Sequence, residues 1–169
     1  LLFSPSDFVY LVYTMAGIQL SFSNMIQLIS ALAPLLVGSF FVMLSLLNQN
    51  VKGIVYLAGA VLATVLNIFV MNQIGSPIAP DASMLCNLVE LPYLTKFNSP
   101  SPSALFIAFT FAYVFLPMRY NNQMNYPVII TLLCLLALDS LSKIKGKCTT
   151  AGGSVLGTLL GFVFGALWY

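Results

Sequence analysis

The run Gly153-Ser-Val-Leu-Gly157-Thr-Leu-Leu-Gly161-Phe-Val-Phe-Gly165-Ala-Leu-Trp-Tyr169 decides the fold. It carries no charge and no proline, and its apolar residues are continuous. Such a run reads as a helix in a bilayer, where roughly 20 residues rising ~1.5 Å each cross ~30 Å of hydrocarbon. A barrel strand would alternate apolar and polar positions instead. Glycine recurs at 153, 157, 161 and 165, which puts small residues along one helical face. That face predicts close packing against a neighbouring helix. Self-association through it is the alternative.

The same reading extends outward. Apolar residues make up 60% of the chain and charged residues 6%, with a mean hydropathy of +0.99. A soluble domain carries roughly 25% charged residues, so the class is integral membrane protein, multi-pass. Further apolar segments occupy residues 8–22, 25–47, 54–71, 103–118 and 127–137, the last running on to Asp139 and Lys143. The expected fold is all-α: a polytopic transmembrane helix bundle of about six apolar helices in a single membrane-embedded domain, 1–169. In a variant of this fold there are five spans, and residues 8–22 form an interfacial helix. That segment is short and holds Gln19 and Ser21. Pro34 predicts a kink or break in the second segment. Residues 84–94 have the pattern of a short amphipathic helix inside the proline-rich connection 72–101. The chain starts at Leu1 and stops within an apolar run, as a piece of a longer chain would.

With six spans, the loops near 48–53 and 119–126 share one face and those near 72–101 and 143–152 share the other. Lys96, Lys143, Lys145 and Lys147 lie on the second face, against Lys52 and Arg119 on the first. The positive-inside rule therefore predicts a cytoplasmic lysine-rich face. A net charge of +2 is too small and dispersed for nucleic-acid binding. Cys86, Cys134 and Cys148 have no metal-ligand spacing, and Asp81 and Glu90 form no metal pattern, so neither metal nor cofactor is expected. Cys134 reads as a packing residue in mid-span. Cys86 and Cys148 both fall in loops and are placed to pair in an oxidising compartment.

Other features near the second face each admit two readings. Pro100-Ser101-Pro102-Ser103 reads as a turn plus the N-cap of a helix, or as an anion site at that helix N-terminus. Lys143, Lys145 and Lys147 read as snorkelling interfacial anchors, or as contacts to anionic headgroups or an acidic partner, at about 1 kcal/mol each near an anionic surface. Asp139 stands four residues before Lys143, as an ion pair at a helix end or as a buried acid.

Three stretches on this face carry a family resemblance. Asn72-Gln-Ile-Gly-Ser-Pro-Ile-Ala79-Pro80 follows the third apolar segment, Pro100-Ser101-Pro102-Ser103 opens the fourth, and Ser142-Lys143 begins a stretch reaching Thr149 and Gly153. In order and placement they resemble the three signatures of the type 2 phosphatidic acid phosphatase family: Lys, six residues, Arg-Pro; Pro-Ser-Gly-His; and Ser-Arg, five residues, His, three residues, Asp. The resemblance covers roughly residues 54–169. It implies a helical-bundle phosphatase in which one histidine attacks phosphorus, a second protonates the leaving group, an aspartate orients the nucleophile and basic side chains hold the phosphoryl oxygens.

This chain departs from the pattern where the chemistry resides. It contains no histidine at all. Asn72 and Ala79 replace the first lysine and arginine, Ser103 and Thr149 the two histidines, Lys143 an arginine and Gly153 the aspartate. A hydroxyl stays protonated at neutral pH and cannot stand in for imidazole as nucleophile or base. Without Ala79 as arginine and Gly153 as aspartate, the positive clamp and the orienting carboxylate are also missing. Phosphohistidine catalysis is therefore excluded.

The expected function is a non-catalytic integral membrane protein. It would act as a structural or anchoring subunit, with membrane lipids and other membrane or peripheral protein subunits as partners, for example in a membrane complex or the internal membrane of a large virus particle. A lipid phosphate phosphatase with an altered mechanism and a transporter or channel subunit are the alternatives. The candidate residues are a vestigial phosphate or headgroup site (Asn72, Ser101, Ser103, Lys143, Thr149), headgroup or partner contacts (Lys145, Lys147) and helix packing (Gly153, Gly157, Gly161, Gly165). The resemblance requires the stretches 100–103 and 143–153 to meet at one membrane face.

Overall fold

In hydrocarbon every backbone N–H and C=O must find its partner within the segment, and the long apolar runs of this chain accordingly close on themselves as α-helices. The computed structural model describes residues 22–49, 51–80, 82, 86 and 97–169. It contains α1 (Phe22–Leu47), α2 (Lys52–Ile74), α3 (Pro102–Tyr120), α4 (Tyr126–Lys145) and α5 (Ala151–Trp168). Among the described residues the only extended pairing is one bridge between Pro77 and Phe97. All five helices are long and apolar enough to cross a membrane. The expected first segment, residues 8–22, lies outside the described residues except for Phe22, and so does most of the expected helix over 84–94.

Local chemistry sets the helix ends. Gly75 closes α2 in the left-handed conformation (φ 63°), and its N–H donates to the Met71 carbonyl at 3.0 Å. Asn125 caps α4 by accepting from the Val128 N–H at 3.4 Å, and Thr150 caps α5 by accepting from the Gly153 N–H at 3.0 Å. Ser101 occupies the N-cap position of α3 with Pro102 behind it, as expected, but its side chain makes no cap bond. Pro34 does not break α1, which runs unbroken through it. In a membrane helix neighbouring elements and local adjustment satisfy the backbone groups a proline frees.

The contacts fix the directions. Tyr56 meets Thr110 and Asn67 meets Pro100, so α2 runs antiparallel to α3. The glycines of α5 meet Ser101, Leu105 and Phe109 in ascending order, so α5 runs parallel to α3. The N-termini of α1, α3 and α5 thus share one end of the bundle with the C-termini of α2 and α4. The core is built from Tyr56, Ala60, Ala63, Leu105 and Phe109, with Phe41, Phe106, Tyr113, Leu160 and Phe164 packed around it. Large apolar side chains such as Leu35, Phe40, Val61, Phe69, Leu159 and Val163 point outward. A soluble monomer rarely exposes so continuous an apolar surface; a multi-pass membrane protein requires it.

The α3–α5 pair shows why glycine recurs every fourth residue. A Cβ at Gly157 would lie 2.5 Å from the Ser101 carbonyl oxygen, and one at Gly165 2.5 Å from that of Phe109. At Gly161 it would overlap the Leu105 carbonyl. The two backbones touch, and the glycine face is covered by α3 within the same chain.

Candidate functional site

The end of the bundle holding the α3 and α5 N-termini concentrates the buried polar side chains. At its centre is Asp139, six residues before the end of α4 and 0% exposed. A carboxylate inside a membrane bundle is costly unless it is hydrogen-bonded, and two helices supply donors. The Ser30 hydroxyl of α1 donates to Asp139 Oδ1 at 2.9 Å, and the Ser103 hydroxyl of α3 donates to Oδ2 at 2.6 Å. The second distance is in the range of a charge-assisted O–H···O⁻ bond. Ser101 Oγ lies 3.4 Å from Ser103 Oγ. Asp139 therefore ties α1, α3 and α4 together.

A second cluster joins the chain before α3 to the start of α5. The Thr149 hydroxyl donates to the Asn98 carbonyl at 2.7 Å, and the Ser101 N–H donates to the Gly153 carbonyl at 2.9 Å. Ser154 donates to Ser140 at 2.7 Å, linking α5 to α4. The Asn98 N–H donates to the Ser76 carbonyl at 3.0 Å, which brings the stretch after α2 alongside. Asn67 donates to the Pro100 carbonyl at 3.4 Å.

A disulfide joins Cys86 to Cys148, in the turn between α4 and α5, at this end. Together with Gln27, Ser30, Ala31, Ser142 and Lys143 it surrounds a cavity of about 10 Å³, room for about one water molecule. Cys134 is free and exposed, so it does not pack inside the bundle.

The expected site residues separate into two groups. Ser101, Ser103, Thr149 and Gly153 are all buried and meet at this end, with Lys143 buried one turn beyond Asp139. The stretches 100–103 and 143–153 thus converge. Asn72 is exposed on the last turn of α2, and Ala79 is half-buried in the following connection; neither joins the Asp139 network. Lys145 and Lys147 are exposed. Gly153 is closed in: a Cβ there would sit 2.8 Å from Thr149 Oγ1 and 2.9 Å from Ser99 Oγ. Sequence reasoning missed Asp139 as the hub and never singled out Ser30. The signal for Asp139 was present, since an acid within an apolar span is by default a site; Ser30 had none, because a serine in a membrane helix is ordinary.

No family model, curated protein or solved structure matches this chain.

Proposed function

We propose that the protein is a non-catalytic, multi-pass membrane protein: a structural or anchoring subunit on the frame of a lipid phosphate phosphatase, holding lipid or partner proteins. One observation carries this reading. The hydroxyls at the two positions where the resemblance calls for imidazole are both engaged in structural bonds, Ser103 to Asp139 and Thr149 to the Asn98 carbonyl. The surroundings agree. The cavity lined by Ser30, Ser142 and Lys143 has room for about one water, and a Cβ at Gly153 would already press on the Thr149 and Ser99 side chains.

The cystine also bears on orientation. Disulfides persist in oxidising compartments and are rare in the cytosol. The Cys86–Cys148 pair therefore supports placing this end on the oxidising side of its membrane, opposite to the expectation from lysine counts. Four basic residues against two is a small bias for the positive-inside rule, and we give the cystine more weight. Lys145 and Lys147 then offer their charges to headgroups or an acidic partner on that side.

A phosphatase assay of the purified protein on phosphatidic acid and on a diphosphorylated isoprenoid tests the reading, with no turnover above background expected. Turnover abolished by Ser103→Ala or Thr149→Ala would overturn it. That result would favour a second reading, a phosphatase of altered mechanism, whose support is the 2.6 Å contact between the Ser103 hydroxyl and the Asp139 carboxylate.

A further inference from the structure

We propose that Asn67 and Asn98 together hold internal water where α2 meets the entry to α3. Asn67 lies two turns before Ile74, the end of α2, or about 10 Å inside it at ~1.5 Å per residue. It is 0% exposed. Its amide nitrogen donates to the Pro100 carbonyl and to Met71 Sδ, both at 3.4 Å. Turning the amide over would set its oxygen against those same two acceptors, so the hydrogen bonds fix which atom is which. The oxygen is then left without a donor: Asn67 Oδ1 is buried and has no hydrogen-bond partner among the described residues. The contact to Pro100 is longer than the usual ~2.9–3.0 Å, so the amide is not drawn tight onto that carbonyl.

Asn98 repeats the pattern just before Pro100. It is 9% exposed, and its backbone N–H and carbonyl are taken by Ser76 and Thr149. Its Oδ1 is likewise buried with no partner among the described residues. Consecutive Cα atoms are ~3.8 Å apart, so Asn98 stands close to the carbonyl that Asn67 holds. Ser99, between them, is also buried, and its hydroxyl both donates and accepts. The neighbouring hydroxyls of Thr149, Ser154 and Ser103 already donate to protein acceptors. Buried amide oxygens are nearly always hydrogen-bonded, by protein or by ordered water. A water fits this pair, because it donates twice and needs roughly two to four polar partners. A hard cation such as calcium takes roughly six to eight oxygens. This water does not depend on the function proposed above, which rests on Ser103 and Thr149.

The test is nuclear magnetic resonance of the full chain in micelles, with nitrogen-15 in the asparagine side chains. Water contacts are read as Overhauser effects in the laboratory and rotating frames, which separates contact from proton exchange. In the wild type the Asn67 amide should show the sign of long-lived water, and exposed Asn72 only that of surface water. Asn67→Leu, close in size and without an oxygen, identifies the Asn67 signals and should also remove the water contact at Asn98. Replacing sodium chloride by choline chloride at equal ionic strength should leave the Asn67 signals in place. No long-lived water at Asn67 in the wild type, an Asn98 contact unchanged in Asn67→Leu, or Asn67 signals that follow sodium would each overturn the proposal. The last result would put a cation there instead. The wild-type measurement decides even if the variant does not fold. The phosphatase assay is blind to these outcomes, so the two ideas fail separately.

Discussion

Replacing Gly157 by alanine adds one methyl group where the α3 and α5 backbones touch. Its position is fixed by the helix: 2.5 Å from the Ser101 carbonyl oxygen, 3.1 Å from the Ser101 nitrogen and 3.3 Å from the Ser101 carbonyl carbon. Close Cα–H···O contacts have C···O distances of about 3.3–3.6 Å, so the helices must part by something near 1 Å. None of the three atoms can rotate away, because all are backbone. Overpacking of this kind costs roughly 1–3 kcal/mol, and weakened Cα–H···O contacts about 0.5–1 kcal/mol each. The better helix propensity of alanine offsets up to about 1 kcal/mol. A net loss near 2 kcal/mol is expected. Gly152→Ala is the control, since nothing lies within 4 Å of its added Cβ, and it should be neutral or slightly stabilising. Reversible unfolding in mixed micelles, followed by circular dichroism and by the fluorescence of the single tryptophan, Trp168, compares the two. Equal stability of the two variants would refute the backbone contact. A change in oligomeric state without loss of stability would show that the glycine face meets another copy instead of α3.

Two further variants probe the other end of the bundle. Ser103→Ala removes the 2.6 Å donor to buried Asp139 and should cost about 1–3 kcal/mol in the same unfolding measurement, whereas Ser103→Thr, which restores a hydroxyl, should recover most of it; equal stability of wild type and alanine variant would argue against the bond. Cys148→Ser opens a link spanning 62 positions, for which chain entropy allows up to about 4 kcal/mol. Reductant should bring the wild type down to the level of that variant, and an untouched wild type would contradict the pairing.

The spans were legible because they rest on composition alone. Residues 54–71 and 103–118 were expected, and Lys52–Ile74 and Pro102–Tyr120 are the helices found. Each runs a few residues into its flanking polar sequence, since helical hydrogen bonding continues past the last apolar side chain. The glycine series told that a close neighbour exists but not which one. Identifying α3 requires knowing that two helices separated by α4 lie side by side, and nothing within residues 153–169 specifies that. Asp139 was legible as an anomaly and illegible as a hub for the same reason. Its donors come from positions 30 and 103, and one sequence contains no record of distant residues that meet. The break expected at Pro34 is absent because a packed membrane helix can satisfy the backbone groups that a proline frees, which the residues around position 34 do not announce.

The parallel pairing of α3 with α5 has a consequence for biogenesis. At ~5–20 residues per second, α5 leaves the ribosome a few seconds after α3, with α4 inserted between. During that interval the carbonyls of Leu105 and Phe109, which the glycines will cover, have no partner helix against them. The bundle is completed by a late arrival, and the exposed strip of α3 is where an insertion factor, or a wrong helix, would have its opportunity.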